Sequence, residues 1–327
     1  MSNNDEDYYS SLFTKRGLTR LGIKGIKIDK PKGFHYLKPK MSKNISVPTS
    51  YSLIKKGKVF LLLKEEYKEA LLQQGIEDLT TFLKTHRPNT RYLSGRTPHP
   101  SVPIDDGKWM VIRQYTHGGI FRALTRNIYL FGSRSFRELA LTEEIRSCEI
   151  PTIQPIGAIH WPILPFLYQP YFLSLEVPRA KDLIQYFQEL GPHPVGEPLF
   201  IKRKIIRSAG ILLRKFHEAG FFHGDLQLKN ILVEGDRLLL IDFDRSYRKK
   251  VLPNKERIKN LLRLNRSVEK WRRLGLPITR TDRWRFFLAY AGDDVKIREA
   301  MKKKLQTYSI RYLFYRCSWA IEKIVGS

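Results

Sequence analysis

Cysteine and acidic side chains are scarce in this chain of 327 residues. Its two cysteines, Cys148 and Cys317, lie far apart and have no partner at metal-ligand spacing. That argues against a disulfide framework or a zinc site and makes a reducing compartment the expectation. Asp and Glu number 32 against 59 Lys and Arg, a formal net charge of +27. A surface so short of negative charge attracts polyanions: nucleic acid, anionic lipid or phosphorylated glycan. Long apolar runs are also missing. None approaches the ~20 residues needed to span a bilayer. The nearest, IHWPILPFLYQPYFLSLEV, is interrupted by Pro162, Pro165 and Pro170 and reads as strands and turns. The start, MSNNDEDYYSSLF, is polar and acidic, unlike a secretory signal. Internal repeats and coiled-coil heptads are lacking as well.

What is present changes character along the chain. Residues 1–50 hold many Lys, Gly and Pro with little periodicity and read as a basic, loosely structured leader. KVFLLLKEEYKEALLQQG predicts a strand, then a helix ended by Gly75. KWMVIRQY predicts a buried strand, and GSRSFRELALTEEIRSC a helix. YFLSLEVPRAKDLIQYFQEL predicts a strand, a connector and another helix. LFIKRKIIRSAGILLRKFHEAG is the clearest helix. It carries Ile201, Ile205, Ala209, Leu212 and Phe216 on one face and ends at Gly220. NILVE and RLLLIDF, joined by Gly235-Asp236, predict a hairpin, and the chain from Lys255 onward is helical and basic. Strands dominate the first half and helices the second. The fold class is therefore α+β with two lobes, the first over residues 51–175 and the second over 176–327.

The segment HGDLQLKNILVEGDRLLLIDFD, from His223 to Asp244, carries the chemistry. Phosphoryl transfer from ATP needs an aligned nucleophile, neutralised phosphate charge and fixed metal ions. An H-x-D-x-x-x-x-N loop provides an Asp to accept a hydroxyl proton, here Asp225, and an Asn to ligate Mg²⁺, here Asn230. Asp242, leaving the next strand, is placed to bridge Mg²⁺ and phosphates. His223 is expected to orient the loop rather than act as a base. The preceding amphipathic helix and the following hairpin match the order of a kinase catalytic half. A turn capped by Asp and Asn would explain the residue types but not this combination.

The other parts are less sharply defined. Arg113, in MVIRQY, occupies the strand position where kinases carry a V-A-I-K lysine. Glu138 on the next helix is its candidate partner. Glu143 and Glu144 are alternatives, and Ser135-x-x-Glu138 also fits a capping box. A phosphate-covering loop could lie at Gly95 or at Gly118-Gly119. Glu176 and Val177 fall where an interlobe hinge would hold adenine through backbone groups.

These residues resemble the lipopolysaccharide kinase family, whose members phosphorylate Kdo or heptose of the inner core. The likeness is closer to its 3-deoxy-D-manno-octulosonic acid (Kdo) kinases. It is carried by VIRQYTHGGIFRALTRNIYLFGSRSFRELALTEEI, HGDLQLKNILV and IDFDRS, within about residues 90–290. The resemblance implies a protein-kinase-like fold with ATP and Mg²⁺. It implies transfer to a sugar hydroxyl, O-4 of Kdo, on Kdo-lipid A, by a peripheral protein at the cytoplasmic face of the bacterial inner membrane. It carries Asp225, Asn230 and Asp242 over directly, and Arg113 and Glu138 less securely. Gln227 stands where protein kinases usually have Lys, which leaves neutralisation of the γ-phosphate to Lys229 or Arg245.

No A-P-E motif follows Asp242, so a peptide-docking segment is not expected. Between Arg248 and Arg280 stand twelve Lys or Arg and two Glu. Arg263, Arg266, Arg272 and Arg273 among them read as a patch for an anionic membrane face or lipid A phosphates. A solvated helix face is the plainer explanation. The aromatic tail MKKKLQTYSIRYLFYRCSWAIEK reads as packing on the helical lobe or lying in a membrane interface. Heptose kinase and protein or small-molecule kinase are the alternative enzymes. A nucleic-acid-binding module is the non-enzyme alternative, although no nucleic-acid motif is present and nucleic acid is not the expected partner.

Overall fold

A computed structural model describes residues 48–93, 98–105, 107–116, 127–130, 133–164 and 167–304, with five two-residue strands between Ile23 and Ser46. The predicted leader lies largely outside these residues, as do Gly95, Gly118-Gly119 and the aromatic tail beyond residue 304. By internal contacts the chain forms two compact units. One comprises Met1–Arg179 and Phe243–Arg245, the other Ala180–Asp242 and Ser246–Ser327.

The first unit is built on an antiparallel sheet. In chain order its strands are β1 (Tyr51–Lys56), β2 (Val59–Lys64), β3 (Arg91–Leu93), β4 (His99–Asp105), β5 (Lys108–Gln114), β6 (Tyr129–Leu130), β7 (Pro155–Leu164) and β8 (Leu167–Leu175). The spatial order is β1-β2-β7-β8-β5-β4-β3, with β6 pairing β8. Helices α1 (Glu65–Gln73) and α2 (Leu79–Thr85) contribute to the core on one face, and α3 (Arg134–Ser147) to the core on the other.

This two-sided cover explains the run VFLLL in β2. Val59, Leu61 and Leu63 join Tyr67, Leu71 and Phe82 of α1 and α2. Phe60 and Leu62 join Phe136 and Leu139 of α3. A strand buried on both faces needs an apolar residue at every position. Each such side chain stabilises by about 1.5–3 kcal/mol relative to exposure. The same parity governs β5. Ile112 belongs to the α1/α2 face, so Arg113 and Tyr115 point toward α3.

The second unit is mainly helical. It contains α4 (Leu183–Glu189), α5 (Gly196–Glu218), α6 (Asn254–Arg273) and α7 (Arg280–Ala291). A small antiparallel sheet joins β9 (Lys181–Asp182), β11 (Ile231–Glu234) and β12 (Arg237–Leu240). A second pairs β10 (Phe221–Phe222) with β13 (Tyr247–Arg248). Gly235 opens the two-residue β11–β12 turn at φ 55°, the left-handed backbone such a turn favours. Helix α5 starts at Gly196, earlier than the apolar periodicity indicates, because Pro198 is tolerated in a first turn. Of its five predicted core residues, Ile201 is half-buried and the others are buried.

Helices α5 and α7 meet at Gly210. A Cβ there would lie 2.5 Å from the Phe286 carbonyl oxygen and 3.0 Å from Ala289 Cβ. A buried ion pair ties the same helices, Lys202 Nζ to Asp282 Oδ2 at 2.7 Å. Asp282 also closes a capping box with Thr279 at the start of α7. The fold is α+β: a sheet with its Glu-bearing helix α3, then the loop after α5, a hairpin and further helices. Among the described residues no helix is long and apolar enough to cross a membrane.

Candidate active site

The loop following α5 is held from several directions. His223 is fully buried. Its Nδ1 accepts the Asp225 N–H at 3.1 Å, and its Nε2 donates to the Ile241 carbonyl at 3.0 Å. Burial lowers its pKa, keeping the ring neutral in this tautomer. With both nitrogens engaged, His223 orients the loop, as its position in the sequence suggests.

Asp225 has a half-exposed carboxylate. Gln227 Nε2 donates to its Oδ2 at 2.6 Å, and Arg263 Nη1 lies 3.2 Å from its Oδ1. Asn230 Nδ2 donates to the Asp225 carbonyl at 2.7 Å. That fixes the amide orientation and leaves Oδ1 without a protein donor among the described residues. Ile241 N–H donates to the Asn230 carbonyl, tying the end of β12 to the loop. Asp242 follows at φ 66°, a left-handed backbone that Asp tolerates better than most residues. Asn230 and Asp242 thus offer hard oxygen donors, one of them unclaimed by the protein, and this set fits Mg²⁺. Lys229 is exposed, and its charge acts on Asp182.

Helix α6 supplies a polar stripe that sequence reading missed. Asn260 is fully buried, accepts the His223 N–H and donates to the His223 carbonyl, at 3.0 and 2.8 Å. It also accepts from His217 Nε2 at 3.1 Å. Arg263 donates to the Gly224 carbonyl as well as to Asp225. Ser267 Oγ accepts the Leu228 N–H at 3.2 Å. Positions 260, 263 and 267 share one helix face. The available signal was polar Asn260 and Ser267 amid the buried apolar positions Ile258, Leu261, Leu264 and Val268.

Two arginines of the predicted anionic-surface patch also bond inward. Arg263 is bound to Gly224 and Asp225. Arg272 donates to the Ile278 carbonyl and pairs with Glu269. Beside these bonds each side chain stays about a third exposed.

In the first unit Arg113 Nη2 pairs with Glu138 Oε1 at 2.5 Å. The Tyr115 hydroxyl donates to Oε2 of the same carboxylate. The Phe243 N–H, next in the chain after Asp242, donates to Oε1 at 3.1 Å. Burial, and then the charge of Glu138, push the Tyr115 hydroxyl pKa well above its ordinary value. The capping-box alternative fails: Ser133 is the N-cap of α3, and Ser135 Oγ donates to the Ile159 carbonyl. Glu143 accepts from Tyr51 and Arg146 instead of Arg113.

A second, unforeseen tie lies nearby. Arg134 grips Asp244 with two bonds, Nε to Oδ1 at 3.1 Å and Nη2 to Oδ2 at 2.7 Å. The only hint was Asp244 itself, in D-F-D. Arg245 follows at φ 62°. The Glu176 side chain is taken up by Ser101 and by Arg91, 3.3 Å away, while its N–H donates to the Trp109 carbonyl. Val177 is half-buried beside it.

The second-unit loop can take a proton from a hydroxyl at Asp225 and hold a divalent cation at Asn230 and Asp242. In the first unit a buried carboxylate holds a cationic strand residue.

Much of the chain is similar to known proteins. The profile of the lipopolysaccharide kinase (Kdo/WaaP) family matches residues 89–290. A 3-deoxy-D-manno-octulosonic acid kinase of Vibrio cholerae serotype O1 is 34% identical over 167 residues, covering 49% of this chain and 65% of that protein. The protein of the same name from Vibrio parahaemolyticus serotype O3:K6 is 32% identical over 182 residues, covering 54% and 71%. The chain thus spans 65% of the length of the first of these relatives. A solved structure of WaaP in complex with acyl carrier protein is 17% identical, covering 76% of this chain and 98% of that one, with a TM-score of 0.48. With more than half of its 327 residues matched, the chain belongs to the lipopolysaccharide kinase (Kdo/WaaP) family.

Proposed function

We propose that the protein is an ATP-dependent kinase that phosphorylates a sugar hydroxyl of the lipopolysaccharide inner core, O-4 of Kdo on Kdo-lipid A. The observation that carries this reading is the family match across residues 89–290, which includes the Asp225 loop. The names of the relatives favour Kdo over heptose. The absence of A-P-E after Asp242 favours a glycolipid over a peptide. The charge of +27 supports an anionic membrane face as the setting.

In this mechanism Asp225 accepts the proton of the acceptor hydroxyl, whose oxygen then bonds to the γ-phosphorus. The bond from γ-phosphorus to the bridging oxygen breaks, and ADP leaves with that electron pair. His223 holds the Asp225 backbone in place, and Gln227 orients its carboxylate. Arg113, fixed by Glu138, is the strand cation for the nucleotide phosphates. Asn230 and Asp242 would hold Mg²⁺, which supplies neutralisation of phosphate charge when bound.

The test is incubation of the purified chain with γ-labelled ATP and, in parallel, Kdo-lipid A, heptose-bearing core and a generic protein. Label on Kdo-lipid A, mapped to O-4 by NMR, is the expected result. Label on the heptose-bearing core alone reassigns the sugar, and label on the protein alone overturns the glycolipid reading.

A further inference from the structure

Gln227 leaves the catalytic loop without the cation that protein kinases usually place there. Phosphoryl transfer concentrates negative charge on the equatorial oxygens of the transferring group, and a positioned cation lowers the barrier. Of the two candidates named from sequence, Lys229 is exposed and acts on Asp182. The charge of Arg245 acts on Tyr129. Among the described residues the cation paired with Asp225 is Arg263, at 3.2 Å.

Its setting is built. Arg263 stands between Asn260 and Ser267 on the α6 face that holds residues His223 to Leu228. Its Nη1 donates to the Gly224 carbonyl and reaches Asp225 Oδ1. Gln227 donates to the other oxygen, Oδ2. A guanidinium has five N–H donors in a fixed fork. One nitrogen fixed on the loop leaves others to meet a phosphoryl oxygen. About a third of the side chain remains exposed, so a ligand can reach it.

We propose that Arg263, from helix α6, is a catalytic residue that supplies the positive charge for the transferring phosphoryl group, in place of a lysine at position 227. The assignment deepens the phosphotransfer reading above and rests on it. As the acceptor oxygen bonds to γ-phosphorus and ADP departs, Asp225 takes the proton and the guanidinium neutralises the equatorial oxygens. The device comes from a helix 38 residues beyond the catalytic Asp rather than from the loop itself.

The test separates charge from scaffolding. Arg263→Gln keeps a neutral amide donor on the helix and loses the charge. Its kcat should fall by on the order of 10²–10³-fold, with the KM for ATP within about threefold, because the interaction is made in the transition state. Binding of ADP with aluminium fluoride, a mimic of the transferring group, should weaken in parallel, while binding of ADP alone and the melting temperature hold. Arg263→Lys should retain part of the activity. The double variant Arg263→Gln/Gln227→Lys should regain at least about tenfold over the single one.

A kcat for Arg263→Gln within threefold of the parent overturns the assignment. So does a loss that neither lysine variant recovers and that accompanies a lowered melting temperature; Arg263 would then be scaffolding. Turnover is also read as ATP hydrolysis without acceptor. If the parent hydrolyses ATP but labels no glycolipid, the acceptor reading fails while the Arg263 comparison still decides. A parent that neither transfers nor hydrolyses the γ-phosphate overturns both.

Discussion

Asp225 and Glu138 show how differently two carboxylates are used. Asp225 is half-exposed on a loop, with Gln227 and Arg263 bound to its oxygens. Asp225→Asn preserves the shape and removes proton acceptance. Turnover should fall by on the order of 10³-fold while calorimetry still finds ATP binding. Near-normal turnover would take Asp225 out of the mechanism. Glu138 is buried and takes donors from Arg113, Tyr115 and the Phe243 backbone. Glu138→Ala leaves the Arg113 guanidinium half-buried without this partner. Removing one member of a buried pair costs about 3–5 kcal/mol, so urea unfolding should show a loss of that size. A loss under 1 kcal/mol would mean the pair is solvated. Asp225, Asn230 and Asp242 were legible because their spacing is local. Glu138 was legible only as one choice of several on the same helix; the Arg113–Glu138 ion pair singles it out. Arg263 and Asn260 were illegible because their partners lie 38 and 37 residues away, a pairing that only folding defines. Arg263 was read as surface charge for the same reason: a cation that bonds inward looks like one that faces water.

At the scale of elements, helices and strands follow from periodicity, and their contacts follow from small residues. VFLLL predicts a strand, but not that α1, α2 and α3 bury it on both faces. The apolar stripe of α5 is evident in the sequence, while its first turn at Gly196 is not. Nothing in the sequence marks Gly210 as the point where α5 meets the backbone of α7. Outside this context Gly210→Ala should stabilise a helix, since Ala is the better helix former by about 1 kcal/mol. Here the added methyl meets a carbonyl oxygen at 2.5 Å and must push α7 away. Overpacking of this kind costs about 1–3 kcal/mol, so the sign reverses. Thermal unfolding of Gly210→Ala should show a lowered midpoint. A raised midpoint would show that the helices separate without strain. Lys202–Asp282 lies on the same seam, so displacing α7 also disturbs this buried ion pair.

At the scale of the molecule, charge was legible in amount but not in placement. The excess of +27 is a property of composition. Which basic residues face outward depends on pairings such as Arg113–Glu138, Arg134–Asp244 and Lys202–Asp282. A second property of the whole is its response to acid, set by buried histidines in both units. His160 in β7 and His217 in α5 are each lowered by burial from 6.5 to about 3, and His223 is lowered as well. All three are neutral in the native state. Below pH 6.5 the unfolded chain takes up protons that the folded chain refuses, so stability falls as pH falls from about 6.5 toward 3. Above 6.5 both states are neutral and these groups contribute no slope. His160 and His217 each contribute about 1.4 kcal/mol per pH unit inside that window, and His223 acts in the same direction. The melting midpoint should therefore hold between pH 7 and 8 and drop steeply between pH 6 and 4.5, before most carboxylates titrate. Calorimetry at pH 5.5, in buffers of different ionisation enthalpy, should find about two to three protons taken up on unfolding. Uptake below one proton would show that the three rings are already charged in the folded protein. The neutral tautomer that lets His223 accept from Asp225 and donate to Ile241 would then be wrong.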